Sequence, residues 1–216
     1  MKIKSLKFIC KRLFDIVFGL LGILLSLPVF IVISLFIKIE SRGSVFFKQA
    51  RLGKNLEPFF IYKFRSMIEG AEQMEAGIFN EENDSRVTKV GNFLRNTSLD
   101  EIPQLFNIIR GDMSFVGPRP PVTYELGDLN QLTQEFIDRF RMKPGLTGLA
   151  QVSGRNELSW DEKVKYDNRY IELFEKYGIL IDIKLLFLTV VKIIKNEGRH
   201  EMPENVERDR KRIDKR

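Results

Sequence analysis

From Val17 to Ile37 the chain runs 21 residues without a charged side chain, and Pro28 stands near the middle of that run, two positions after Ser26. As a helix the run rises about 32 Å, enough to match a hydrocarbon layer of roughly 30 Å. A cleaved signal peptide would carry a shorter apolar region followed by small residues at the cleavage point, whereas IKIESRGSVFFKQ follows here. The flanks narrow the topology. Lys2, Lys4, Lys7, Lys11 and Arg12 precede the run and Lys38, Arg42, Lys48 and Arg51 follow it, so the positive-inside bias holds both ends on the cytoplasmic side. A proline inside a helix removes one backbone hydrogen bond and crowds the preceding turn. The Ser26 hydroxyl can satisfy a freed carbonyl where no water reaches it. These residues predict a re-entrant hairpin over 1–40: helix, break at Ser26 and Pro28, helix, entering one leaflet and returning to the side it left. A kinked helix that crosses fully is the alternative they leave open.

The remainder of the 216 residues, in a chain that is 44% hydrophobic, is enough for one core of ordinary size. The expected organisation is a cytosolic catalytic domain with interfacial helices over 41–198 and a charged, poorly ordered tail over 199–216, where a headgroup-binding role is the alternative. A formal charge of +6 favours anionic partners: nucleic acid, acidic lipid headgroups or phosphorylated substrates. Cys10 is the only cysteine and His200 the only histidine. That removes a disulfide framework, a cysteine zinc cluster, an HExxH site and a histidine-centred triad, and leaves carboxylates, lysines, arginines and hydroxyls to do any chemistry.

GSVFFKQARLG and PFFIYKFRSM alternate apolar and polar residues and predict two strands joined at Gly53-Lys54-Asn55. MIEGAEQMEAGIFNEEND reads as a helix fragment or loop. VTKVGNFLRNT, IPQLFNIIRGDM, LTQEFIDRF and the run from Trp160 to Lys195 carry helical spacing. The end of that last run is apolar yet holds Asp182, Lys184, Lys192 and Lys195, which fits an amphipathic helix in the membrane interface or a core helix. The fold class expected is α/β, mostly helical with a small β element.

The densest cluster of chemistry is NTSLDEIPQLFNIIRGDMSFVGPRPP. Ser98 and Glu101 stand in capping-box spacing, but a cap at Ser98 places Pro103 too deep in the helix, whereas a cap at Asp100 places it in the tolerant first turn. Read functionally, Asp100 and Glu101 could supply a nucleophile and a ligand for magnesium, which takes carboxylate oxygen and bridges to phosphate. Lys63, Arg65, Arg119 and Arg155 could hold phosphate, and Asp112 is a further acid in the segment. In KPGLTGLAQVSGRN the glycines permit close approach of backbone to a ligand, or simply make turns. There is neither a Walker A sequence nor a GxGxxG fingerprint.

KRLFDIVFGLLGILLSLPVF, YKFRSM, DSRVTKVGNFLRNTSLDEIPQLFNIIRGDMSFVGPRP and KPGLTGLAQVSGRN, in that order between about Lys11 and Ile194, resemble the bacterial sugar transferases, or monotopic phosphoglycosyl transferases. The resemblance implies an enzyme of the bacterial cytoplasmic membrane that transfers a sugar phosphate from a UDP-sugar to a polyprenyl phosphate such as undecaprenyl phosphate. It would release UMP in the first membrane step of glycoconjugate synthesis. The resemblance also implies that Asp100 is the nucleophile, forming an acyl-phosphate intermediate, and that Glu101 binds Mg2+. Lys63, Arg65, Arg119 and Arg155 would be phosphate or nucleotide contacts, and the chain would correspond to the catalytic unit of larger relatives that carry several preceding spans. It strengthens the re-entrant reading, with the break at Ser26-Leu27-Pro28. Oligomeric state is left open, a homo-oligomer included. Two readings from other classes are a membrane-attached scaffold without turnover, opposed by the intact LDE and GPRP, and a nucleic-acid module, opposed by the apolar hairpin and the lack of a reading helix.

Overall fold

The computed structural model describes residues 2–74, 84–154, 157–195 and 203–213. Among these the chain is mostly helical, with two small two-stranded sheets. Helix α1 (Lys2–Glu40) stays helical through Pro28 instead of breaking there. One missing N–H removes one bond from a long ladder, which bends or weakens a helix without having to end it. The carbonyl deprived of its regular donor is that of Leu24, yet Ser26 Oγ donates to Ile23 O at 3.1 Å, one residue earlier than the expected repair.

The β hairpin forms as the alternation predicts. β1 (Phe46–Leu52) pairs antiparallel with β2 (Pro58–Phe64) from Phe46↔Phe64 to Leu52↔Pro58, joined by a tight turn over Lys54–Leu56. α2 (Lys89–Thr97) begins where the Thr88 side chain accepts from Gly91 N–H. α3 (Gln104–Arg110) ends at Gly111, whose φ of 97° suits glycine. β3 (Ser114–Val116) and β4 (Gly145–Thr147) form a parallel pair too short for any periodicity to announce. α4 (Gln134–Asp138) and α5 (Leu149–Ser153) are single-turn helices. The run expected from Trp160 to Lys195 is two helices, α6 (Trp160–Tyr177) and α7 (Ile179–Lys195), divided at Gly178 with φ 60°. α6 starts in a capping box between Ser159 and Glu162. The tail, expected to be poorly ordered, is helical over α8 (Pro203–Ile213). Within MIEGAEQMEAGIFNEEND, Met67 bridges Val87 and a short turn spans Ala71–Gln73, residues 75–83 lying outside those described.

α1 is fastened to the rest of the protein from Lys7 to Glu40. Lys7 Nζ donates to the Glu175 and Lys176 carbonyls at the end of α6. A Cβ at Gly19 or Gly22 would stand 3.0 or 3.1 Å from Ile109 or Leu105, so the glycines let α3 come close. Phe30 packs on Phe64 and Phe106, and Ile33 and Ile37 are buried with Phe64 and Leu94. The Glu40 carboxylate accepts from the Lys89 and Val90 N–H groups and so caps the start of α2.

Two residues counted in the basic flank do something else. Lys11 is 5% exposed and donates to Asp182 Oδ2 at 2.5 Å, Val116 O at 2.8 Å and Tyr170 Oη at 3.2 Å, so its three N–H donors are used inside the protein. Arg12 donates to the Ile108 and Ile109 carbonyls, both at 2.6 Å, at the negative end of α3. Asp15 accepts from Ser114 Oγ and Phe115 N–H. α7 turns Ile181, Asp182 and Leu185 inward and leaves Leu180, Ile183, Phe187, Val190 and Ile194 exposed at helical spacing. Leu24, Leu25, Ile31 and Ile39 of α1 are exposed as well. Leu6–Glu40 is the one helix among the described residues long and apolar enough to cross a membrane.

Candidate active site

Leu99–Glu101 is a 3-10 turn linking α2 to α3. Ser98 ends α2 in the left-handed region, at φ 58°, and its side chain caps nothing; Pro103 occupies the N-cap of α3. Both capping schemes expected from the sequence therefore fail, because the chain turns twice before the proline, whose φ of −60° already suits the helix that follows. The turn leaves Asp100 8% exposed, between α2, α3 and the hairpin.

Lys63 reaches this turn from β2. Its Nζ lies 2.7 Å from Glu101 Oε1 and 3.7 Å from Asp100 Oδ2, bridging the two acids. Asn107, fully buried on α3, fixes the distance: Oδ1 accepts from Tyr62 N–H at 3.1 Å and Nδ2 donates to Phe60 O at 2.7 Å. Asp112 joins this brace through Asn107 and pairs with Arg110 at 3.2 Å, a structural employment.

Arg119 enters from the GPRP loop. The loop is held from beneath by Arg139, which donates to Arg119 O and grips Asp167 Oδ2 through Nε at 2.9 Å and Nη2 at 2.7 Å. Arg139 and Asp167 are 1% and 0% exposed, and burial pushes the Asp167 carboxyl up to about 6 although Arg139 opposes it. The glycines nearby, for which ligand approach and simple turns were both open, let backbone pack on backbone. A Cβ at Gly145 would lie 2.1 Å from Gly117 N, and one at Gly148 2.2 Å from Gly117 O.

The acid pair stands between two cavities. One, of about 340 Å³, is edged by Lys63, Arg65, Arg95, Asp100 and Arg119. The other, of about 230 Å³, is mainly apolar and touches Glu101 and Arg119. Lys63, Asp100, Glu101 and Arg119 are thus brought together. Arg65 borders the polar cavity, but its guanidinium donates to the Ser41 and Arg42 carbonyls and to Ser41 Oγ, closing the turn after α1. Arg155 lies outside the described residues. Ser26 and Pro28 remain in α1 and line neither cavity.

Sequence reasoning passed over Arg95 and Arg51. Arg95 sits in the last turn of α2, where a basic residue reads as a helix-end charge. Arg51 is half-buried beside Glu125 and donates to Pro120 O, and desolvation lowers its pKa to about 10. No cluster of three or more His, Cys, Asp or Glu residues suited to a metal occurs among the described residues. Magnesium commonly rests on one or two carboxylates, several waters and substrate phosphates, so the acid pair fits an ion shared with a bound diphosphate rather than a closed protein cage.

Carboxylates, a bridging lysine and arginines thus gather at the meeting of a polar and an apolar cavity. A family model described as bacterial sugar transferase matches residues 6–196. The UDP-glucose:undecaprenyl-phosphate glucose-1-phosphate transferase of Klebsiella pneumoniae is 42% identical over 195 residues, 88% of this chain and 41% of that protein. Its namesake from Escherichia coli is 43% identical over 193 residues, 87% of this chain and 41% of that one. The exopolysaccharide production protein ExoY of Sinorhizobium fredii is 37% identical over 204 residues, 88% of either chain. The chain spans about two-fifths of the first two relatives and most of the third. It belongs to the bacterial sugar transferase family.

Proposed function

We propose that the protein is a phosphoglycosyl transferase that moves a sugar 1-phosphate from a UDP-sugar to polyprenyl phosphate, releasing UMP. The observation that carries this reading is Asp100 beside Lys63 and Arg119 at the junction of the two cavities. The names of the similar transferases from Klebsiella and Escherichia support the same substrate classes.

In the first step an Asp100 carboxylate oxygen bonds to the sugar-bearing phosphorus, and the bond from that phosphorus to the bridging oxygen breaks, leaving its electron pair on UMP. In the second, an oxygen of the lipid phosphate bonds to the same phosphorus and the Asp100 carboxylate departs. One P–O bond replaces another each time, and the ionised phosphates require no general base. Lys63 offsets the repulsion between the acid pair and an incoming diphosphate, and Arg119 can meet phosphate oxygens with two N–H donors. A magnesium ion held by Glu101 and the diphosphate would supply further charge neutralisation.

The membrane reading rests on where α1 is fastened. Lys7 near one end and Glu40 at the other bind the same folded domain, which keeps both ends on one side of a bilayer. The exposed apolar faces of α1 and α7 then dip into one leaflet of the bacterial inner membrane, with the catalytic domain on the cytoplasmic face. The test is a panel of UDP-sugars with undecaprenyl phosphate and magnesium in nanodiscs, scored by UMP release. A phosphosugar adduct on Asp100, mapped by mass spectrometry, is expected; UMP release by the Asp100→Asn variant at the native rate would overturn the mechanism.

A further inference from the structure

The smaller cavity lies on the Glu101 side of the acid pair. Its walls are Ile102 and Leu105, Leu146 of β4, Val152 of α5, and Leu186 and Ile193 of α7. A few polar side chains interrupt this lining. Thr147 and Thr189 bond each other at 2.7 Å and so need no ligand. Gln151 is different: both of its amide atoms are buried, and among the described residues neither has a hydrogen-bond partner. A buried amide left without partners is costly to keep, and here it borders a cavity that also holds Arg119 and Glu101. The opposite end opens outward. Ile193 lines the cavity and is 38% exposed, beside Val190 and Ile194 on the outer apolar face of α7, with Lys192 next to it.

An occupant that suits these walls is apolar for most of its length. It carries an anion where it meets Arg119, offers acceptor oxygens to the Gln151 N–H donors, and arrives from an apolar surface. A nucleotide fits poorly, because its base and ribose need polar edges that Leu146, Leu186 and Ile193 do not offer. A single isoprenoid chain ending in phosphate meets every condition. We propose that this cavity holds the phosphate end of the acceptor lipid. Its first isoprene units lie against Leu146, Leu186 and Ile193, and its phosphate is held by Arg119 and Gln151 Nε2. This inference rests on the phosphoglycosyl transferase reading and adds the acceptor's place to it. Donor and acceptor then approach the acid turn through different cavities, and Arg119, which borders both, is common to the two.

The full chain in nanodiscs, given a polyprenyl phosphate bearing a diazirine on its second isoprene unit, tests the placement without turnover. Crosslinks are expected within 146–152 and 186–193, suppressed by unlabelled polyprenyl phosphate and not by inorganic phosphate. The Asp100→Asn protein, unable to form the intermediate, labels the same peptides. In steady-state assays Gln151→Leu raises the KM for the lipid about tenfold relative to the KM for the UDP-sugar, the size expected for losing one hydrogen bond to a charged group. Ile193→Trp, which fills the mouth without touching a polar atom, shifts the same ratio in the same direction and stands in if the Gln151 variant fails to fold. Crosslinks confined to 44–73 or to the outer face of α1 would overturn the proposal, as would equal shifts of both KM values. If the native protein releases no UMP while the crosslinks remain in the cavity, the transferase reading falls and the lipid site stands.

Discussion

The ion pair at the acid turn and the ion pair at the root of α1 use the same chemistry in opposite surroundings. Lys63 and Glu101 have side chains each 20% exposed, and Asp100 keeps a second carboxylate within reach of the same ammonium. Lys11 and Asp182 are 6% and 2% exposed, and every donor of that lysine is spoken for by Asp182, Val116 O and Tyr170. A partly wet pair can exchange its partner for a phosphate at little loss, because water compensates the charge left over. A dry pair cannot, because removing one member strands the other in a medium of low polarity. The first arrangement suits a reaction and the second suits a joint, here the joint between the apolar helix and the helices packed against it.

Substitution separates the two. Asp100→Asn keeps the size of the side chain and removes the proposed nucleophile, so transfer should fall about 10³-fold or more with the melting transition unmoved. Loss of stability in place of activity would place Asp100 among the dry pairs. Asp182→Asn should do the reverse, costing about 3–5 kcal/mol by denaturant titration in detergent, with residual activity in the fraction that stays folded. Replacing both members, Asp182→Leu with Lys11→Met, should cost much less than Asp182→Asn alone, since two apolar groups in place of a buried pair are often neutral. Lys63→Gln is expected to lie between them. It should raise the KM for the UDP-sugar about tenfold and change stability by less than about 1 kcal/mol, as a partly exposed pair implies.

The wet site was more legible in the sequence than the dry joint. Asp100, Glu101, Lys63 and Arg119 sit in dense polar motifs, and the hairpin that delivers Lys63 announces itself by alternation. Nothing local tells that Lys11 will meet a residue 171 positions away, so it reads as one more cation in a basic flank. Three-residue strands such as β3 and β4 are too short to show an alternation, and the sequence left Gly145 and Gly148 open between ligand approach and turns because backbone packed on backbone leaves no side chain to read. Arg65 shows a related ambiguity, bordering the polar cavity while its guanidinium closes a turn, a task indistinguishable by residue type from waiting for phosphate. Local preference is written in neighbours, whereas tertiary pairing depends on residues the window does not contain.

The second dry pair, Arg139 with Asp167, sharpens the contrast through pH. Burial raises the Asp167 carboxyl from 3.8 to about 6, so between those values the folded protein holds a proton that the unfolded chain has released. The stability contributed by this group therefore falls as pH rises from about 4 to about 6 and is level above that. The slope within the window is at most about 1.4 kcal/mol per pH unit. Measuring native and Asp167→Asn proteins at pH 4.5 and pH 7 isolates the effect, because other titrating groups cancel in the difference. The native protein should lose stability relative to the variant on going to the higher pH; a difference that stays constant would mean that burial does not raise the Asp167 carboxyl.

Ser26 should give the smallest effect. Its hydroxyl bonds Ile23 O, a carbonyl inside a helix whose residues on either side of Pro28 are already held by other contacts, Gly22 against Leu105 and Phe30 against Phe64. Ser26→Ala removes that one bond and leaves no buried donor stranded, so the change should stay within about 0.5 kcal/mol in detergent and transfer should persist. Pro28→Ala restores the N–H that Leu24 O lacks and tests the other half of the question. If α1 is held on one side of the bilayer by Lys7 and Glu40, labelling of cysteines placed near its two ends should still come from the same side after that change. If it comes from opposite faces, Pro28, and not the packing of α1 on the domain, sets the topology.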